Sequence, residues 1–157
     1  MGAVRNAAAD AAAKLASAEA ACAARGTRMT ANRRDVLALI LAAEGPVTAY
    51  VLLDRLKQSH PGAVPPTIYR ALDFLMAQGL VHKVERLNAY VGCVEGASHA
   101  HDHAVQFLIC QDCGGVTEVE DDEVAEALGH AAERSGFRPA HATVEVEGTC
   151  GDCASRG

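Results

Sequence analysis

Four of the six cysteines stand in two Cys-x-x-Cys pairs, Cys110/Cys113 and Cys150/Cys153. Two thiolates on one tight turn can grip a single ion, and two such pairs complete a tetrahedral site with no open position for a substrate. That is the chemistry of a structural Zn2+, whose binding is typically worth about 10–16 kcal/mol to a small domain. Disulfide or redox use is the competing reading, but no thioredoxin-like βαβ pattern accompanies the pairs. A second constellation runs through His82, Cys93, His99, His101, Asp102 and His103 to Glu118. Mixed nitrogen, sulfur and oxygen donors from two sides of a hinge suit a regulatory Zn2+ whose capture fixes one domain against another. The blander alternative is a His-rich loop that binds metal adventitiously, with Cys93 as a small core residue. A third, weaker site would join His101 or Asp102 to His141. Cys22, His60 and His130 read as a helix-face thiol, a cap residue and an exposed histidine.

The elements that must hold these residues follow from composition and punctuation. Residues 5 to about 25 are Ala-rich with scattered charge, a helix that Gly26 stops. Thr30 caps a second helix with Val36, Leu37, Ile40 and Leu41 at helical spacing, ended by Gly45-Pro46. Thr48 caps a third, with Leu52, Leu53 and Leu56 inward, closed by Ser59-His60-Pro61-Gly62. Pro65-Pro66 opens a fourth, Thr67 to Gln78, which buries Ile68, Leu72, Leu75 and Met76 and stops at Gly79. Two short β runs, Leu80–Val84 and Ala89–Val94, flank Glu85–Asn88 as a hairpin.

Helices followed by such a hairpin predict a winged helix-turn-helix, with the fourth helix entering a DNA major groove. Small polar residues then make a hinge. Beyond it the pattern predicts strands at Ala104–Cys110, Val116–Glu120 and Ala142–Glu147 and a helix at Asp121–Ser135 with an acidic first turn. The expected fold is therefore α+β: a winged-helix DNA-binding domain over residues 1–94, a hinge over 95–103, and a small α/β dimerisation and metal-binding domain over 104–157. About fifty residues bury little apolar surface, so pairing with a second copy is expected.

Charge divides along the same line. Residues 1–90 carry 11 Lys and Arg against 7 Asp and Glu, and residues 91–157 carry 3 against 13. A basic first half suits phosphate contact, whereas an acidic second half is repelled from a duplex. Thr67, Tyr69 and Arg70 sit where recognition helices meet DNA, with Arg70 best suited to a base edge. Arg28, Arg33, Arg34 and Lys57 read as phosphate anchors or solvated charges. No apolar run approaches the roughly 20 residues that span a bilayer, and no signal peptide is evident, so the expected location is cytoplasmic with no membrane partner.

Taken together, Arg28-Met-Thr-Ala-Asn-Arg33, Pro65-Pro-Thr-Ile-Tyr-Arg-Ala-Leu-Asp-Phe-Leu75, Gly79-Leu-Val-His-Lys-Val-Glu85 and the paired Cys-x-x-Cys motifs resemble the ferric-uptake-regulator family, specifically its zinc-uptake-regulator branch. The resemblance runs from about Ala18 to Cys153. It implies DNA contacts for Tyr69 and Arg70 and a further one for Tyr50, and structural zinc for the four paired cysteines. It also implies a sensory zinc held by His82, Cys93, His103 and Glu118, with His99 and His101 as alternatives for the loop histidine. The function so implied is a zinc-responsive repressor that binds operator DNA as a homodimer when loaded and controls zinc-uptake genes.

The rival within the family is a sensor of iron or manganese, against which the Cys93 ligand argues. A rival from another class is a zinc hydrolase or deaminase, but there is no His-Glu-x-x-His and no His-x-Glu partnered with Pro-Cys-x-x-Cys. No enzyme activity and no small-molecule substrate are therefore expected.

Overall fold

The computed structural model describes residues 2–93 and 104–156. They fall into two compact units, Met1–Ala100 and His101–Gly157. The expected hinge, residues 95–103, lies outside the described residues, as do His99, His101, Asp102 and His103 within it.

In the first unit, helices α1 (Gly2–Ala24), α2 (Ala31–Leu41), α3 (Ala49–Leu56) and α4 (Pro65–Ala77) precede strands β2 (Val81–Val84) and β3 (Ala89–Gly92). Helix starts are set by caps: the Thr30 hydroxyl accepts from the Arg33 N–H and Thr48 from the Val51 N–H, each satisfying a donor the first turn cannot. Apolar residues at helical spacing then meet in one core. Leu15, Ala18 and Cys22 of α1, Val36, Leu37 and Ile40 of α2, Leu52 and Leu56 of α3, and Ile68, Leu72 and Leu75 of α4 are all buried there. A hydrogen bond between His60 Nε2 and Asp35 Oδ2, 2.6 Å long, ties the turn after α3 to α2. His60 thus does more than close a helix.

The hairpin turns through a 3-10 segment, Glu85–Leu87, and a left-handed Asn88 at φ 46°, a conformation asparagine tolerates better than most residues. A two-residue strand that the sequence pattern did not reveal, β1 (Val47–Thr48), adds to the outer side of β3 and gives the order β1-β3-β2, all antiparallel. Helices two, three and four with a three-stranded β wing form a winged helix-turn-helix.

The second unit is a sheet of order β5-β4-β6, built from β4 (Val105–Cys110), β5 (Val116–Val119) and β6 (Thr143–Gly148), with α5 (Asp122–Arg134) and a short α6 (Gly151–Ala154). Asp121 caps α5 by accepting from the Val124 N–H at 3.2 Å, and Asp122 and Glu123 stand in its first turn, where the helix dipole favours negative charge. β4 pairs antiparallel with β5 and parallel with β6. Its apolar surface is not all covered: Leu108, Val124, Leu128, Phe137 and Val146 are exposed. Leu108 and Val146 are neighbours in the β4–β6 register, and Val124 and Leu128 share a helix face one turn apart.

Among the described residues no helix is long and apolar enough to cross a membrane.

Candidate metal centres and nucleic-acid interface

The four-cysteine cluster is a consequence of strand topology. β4 and β6 run parallel, so their C-terminal ends lie together, with Cys110 paired to Gly148, and each Cys-x-x-Cys begins at or just beyond its strand. The first pair sits on a tight turn in which the Gly114 N–H donates to the Cys110 carbonyl at 3.0 Å and the Cys110 N–H to the Gly115 carbonyl at 2.9 Å. Gly114 has φ +71°, and a Cβ on Gly115 would stand 3.3 Å from the Cys113 Sγ, so the turn uses glycine for both its shape and its closeness to sulfur. The second pair opens α6, with Cys150 as its N-cap.

All four sulfurs lie within 4.8 Å of one another, and Cys113 Sγ and Cys150 Sγ are 3.9 Å apart. A tetrahedral ion with metal–sulfur bonds of about 2.3 Å needs sulfur–sulfur edges of about 3.8 Å. The arrangement therefore fits a zinc-sized ion. Its electrostatics agree: the Cys150 N–H donates to Cys110 Sγ at 3.3 Å, and this and the Cys113 amide lower the Cys110 thiol to about 6. Cys153 is pushed up strongly, first by its hydrogen bond to Cys150, then by burial and the other sulfurs. Hydrogen bonds alone stabilise one thiolate; a full set of four needs a cation in the middle.

In the first unit His82 lies in β2 and Cys93 just beyond β3. His82 is directly opposite Val91, and the Cys93 N–H donates to the Leu80 carbonyl at 3.0 Å. This register places His82 and Cys93 on one face of the hairpin as diagonal neighbours, with a ring nitrogen and Sγ within 4.8 Å. Cys93 is buried and His82 half-buried; an imidazole nitrogen and a cysteine sulfur are both donors that a zinc ion accepts. Leu80, which carries the hydrogen bond to Cys93, follows the glycine that ends α4. In the second unit Glu118 stands opposite the fully buried Phe107 on β4, half-buried itself. His141 is exposed in the connection between α5 and β6.

The residues singled out for DNA differ in how free they are. Tyr50, at the start of α3, is 81% exposed, and Tyr69, in α4, is 50% exposed. Arg70 and Arg28 are exposed too. Thr67 uses its hydroxyl oxygen to accept from the Val64 N–H at 3.1 Å, which leaves its proton for another acceptor. Arg33 is committed inside the fold: its guanidinium lies 3.7 Å from the Phe74 ring centroid and donates to the Arg28 carbonyl at 2.6 Å. Arg34 pairs with Glu19 at 2.7 Å. Sequence reasoning missed the Arg33–Phe74 stack because the partners are far apart in the chain. It also passed over Val64, a large apolar residue left 52% exposed at the N-cap of α4; an aliphatic side chain where a capping Ser, Thr or Asp is usual was the available signal.

Comparison with known proteins agrees with this architecture. The model of the ferric uptake regulator family matches residues 24–147. The chain is 43% identical over 142 residues to the zinc uptake regulation protein of Escherichia coli K12, covering 88% of this chain and 80% of that one. Among solved structures it is similar to a zinc uptake regulator complexed with zinc and DNA, with a TM-score of 0.88 and 40% identity over 93% of this chain and 96% of the other. It is also similar to holo XcZur, with a TM-score of 0.82 and 46% identity over 90% and 96% of the two chains. A winged helix-turn-helix joined to a four-cysteine α/β unit, with these likenesses, places the chain in the ferric uptake regulator family of transcriptional regulators, in its zinc-uptake-regulator branch.

Proposed function

We propose that this protein is a zinc-responsive repressor that binds operator DNA as a homodimer when loaded with zinc, and so controls zinc-uptake genes from the cytoplasm. The observation that carries the reading is the His82–Cys93 pair, an imidazole and a thiol on one face of the wing within 4.8 Å. A thiolate in a sensor favours zinc over iron or manganese, which prefer harder donors. Each chain would hold one structural zinc at Cys110, Cys113, Cys150 and Cys153 and one regulatory zinc at His82, Cys93, His103 and Glu118. His99 and His101 are the alternatives for the loop histidine, and a weaker third site would use His101 or Asp102 with His141. The likeness to a regulator solved with zinc and DNA supports the assignment.

With ligands contributed from both sides of residues 95–103, zinc capture selects one arrangement of domains 1–94 and 104–157 out of those the hinge permits. In a homodimer that fixes the separation of two recognition helices, which must match successive major grooves about 34 Å apart. The exposed Leu108, Val124, Leu128, Phe137 and Val146 support pairing through the second unit, whose single sheet covers little apolar surface by itself. Only the difference in zinc affinity between competent and incompetent arrangements drives the switch, and a coupling of about 1–3 kcal/mol changes operator affinity about 5- to 150-fold. Tyr50, Thr67, Tyr69 and Arg70 would contact the duplex, with Arg28 on phosphate; Arg33 would act through its neighbours.

Replacing Cys93 by serine tests the proposal. The variant is expected to remain a folded dimer and to bind operator no better with zinc than without it. Unchanged zinc dependence would remove this site from the mechanism.

A further inference from the structure

We infer that the tip of the recognition helix, Val64-Pro65-Pro66, is a specificity determinant that reads the C5-methyl group of thymine in the major groove. The inference rests on the DNA-binding reading above and adds residues to which that reading gives no role.

The tip has no backbone N–H left to donate on its leading edge. Val64 spends its N–H on Thr67 Oγ1 at 3.1 Å and its carbonyl on the Thr67 N–H at 2.8 Å. Pro65 and Pro66 have no N–H to offer. Helix starts often hold phosphate through free backbone donors, and this one has been stripped of them. What it presents instead is apolar: the Val64 side chain, 52% exposed, and two exposed proline rings. Val64 is held extended at φ −126°, ψ 165° by the hydrogen bond to Thr67, which fixes the direction in which its short β-branched side chain projects. Pro66 lies three and four residues before Tyr69 and Arg70, on the helix face that both share and that faces away from buried Ile68, Leu72 and Leu75.

In the major groove the apolar feature of a base-pair edge is the thymine methyl. Val64, Pro65 and Pro66, with no free N–H, offer guanine's acceptors no partner and leave that edge's polar groups desolvated. Beside a thymine the tip covers a methyl group, an apolar gain that a G·C edge does not offer. The tip therefore selects a T·A pair at its position, while Arg70 and Tyr69 address neighbouring bases or phosphates.

The test uses the full-length zinc-loaded protein and a duplex it selects from a randomised library. Each thymine is replaced singly by deoxyuridine, which removes only the methyl, and binding is compared for wild type, Val64→Ser, Pro66→Ser and the isosteric Val64→Thr, with thermal melting as a folding check. In wild type at least one thymine per half-site is expected to cost about 4-fold in affinity when demethylated, and about 16-fold when both half-sites are changed. In Val64→Ser or Pro66→Ser that penalty should disappear, the signature of a coupled pair. If Val64→Ser melts early, Val64→Thr, which keeps the shape and adds a hydroxyl, must still shrink the penalty. Uracil penalties that persist at full size in all three variants overturn the inference and leave DNA binding standing. If no duplex is selected in the presence of zinc, the DNA-binding reading fails and takes this inference with it.

Discussion

Replacing Cys153 by serine removes one of four sulfurs from the metal knuckle while keeping a side chain of similar shape. A zinc binding free energy of about 10–16 kcal/mol shared among four thiolates is about 2.5–4 kcal/mol per sulfur, so zinc affinity should fall about a hundred- to a thousand-fold. The second unit has little else to lean on. Among its described residues the buried apolar side chains are Phe107, Ile109 and Cys110, and two full-sized ones at about 1.5–3 kcal/mol each contribute about 3–6 kcal/mol. The first unit keeps its own core, from Leu15 to Tyr90, and donates no sulfur to the knuckle. Two consequences follow for reduced protein. Competition against a chromophoric chelator should show the weakened site, and calorimetry should show the melting of the second unit moved down with that of the first unit unchanged. If Cys153→Ser holds zinc as tightly as wild type and both units melt as before, the four-sulfur site is wrong.

Further outcomes are expected. Arg33→Ala breaks the stack on Phe74 and the hydrogen bond to the Arg28 carbonyl and should cost the first unit about 1–3 kcal/mol in urea unfolding. Arg33→Lys, which lacks the planar fork, should recover only part of this, and full recovery would contradict a stacked role. Arg70→Ala should weaken operator binding by about 1–3 kcal/mol and relax preference at one base pair; a uniform loss across sequences would make Arg70 a phosphate contact instead. Gly114→Ala forces a side chain into φ +71° and should lower zinc retention at the knuckle under chelation, with no change in retention refuting the turn's role. In metal-free reduced protein, the lowered Cys110 thiol favours the folded state increasingly as pH rises from about 6 to its ordinary 9.0, and the gain is lost as pH falls through about 6. The raised Cys153 thiol has the opposite sign and acts only above 9.0. Denaturant midpoints of the second unit should therefore peak just below 9.0, and Cys110→Ser should flatten the rise; a flat profile in the unsubstituted protein would refute the hydrogen-bonded thiolate.

Much of this was legible in the chain because local chemistry carries it. Thr30 and Thr48 mark helix starts by type, and each hydroxyl does accept the amide expected of it; Asp121, expected inside the acidic first turn, is instead the N-cap of α5. Glu85–Asn88 marks the wing turn, and the two Cys-x-x-Cys patterns begin at the last residue of β4 and two residues past β6. What escaped the sequence depends on partners distant along the chain. β1 is two residues long and exists only through its pairing with β3. Arg33 looks like any surface cation until Phe74 is placed beneath it, and His60 like a turn residue until Asp35 is found 2.6 Å away. The sequence pattern opens α4 with Pro65-Pro66 and counts its body from Thr67, and both prolines belong to the helix; a capping side chain ordinarily reaches forward from the N-cap. Here the order is reversed, with Thr67 accepting from the Val64 amide, and that reversal leaves Val64 bare.

The most direct measurement is operator binding by the full-length protein across buffered free zinc, iron and manganese. Half-maximal binding at a lower free concentration of zinc than of either rival, lost in Cys93→Ser, is the predicted result. Binding driven by iron or manganese at lower free metal than zinc, or binding indifferent to metal, would contradict the claim that a thiolate-bearing zinc site at the wing controls this regulator.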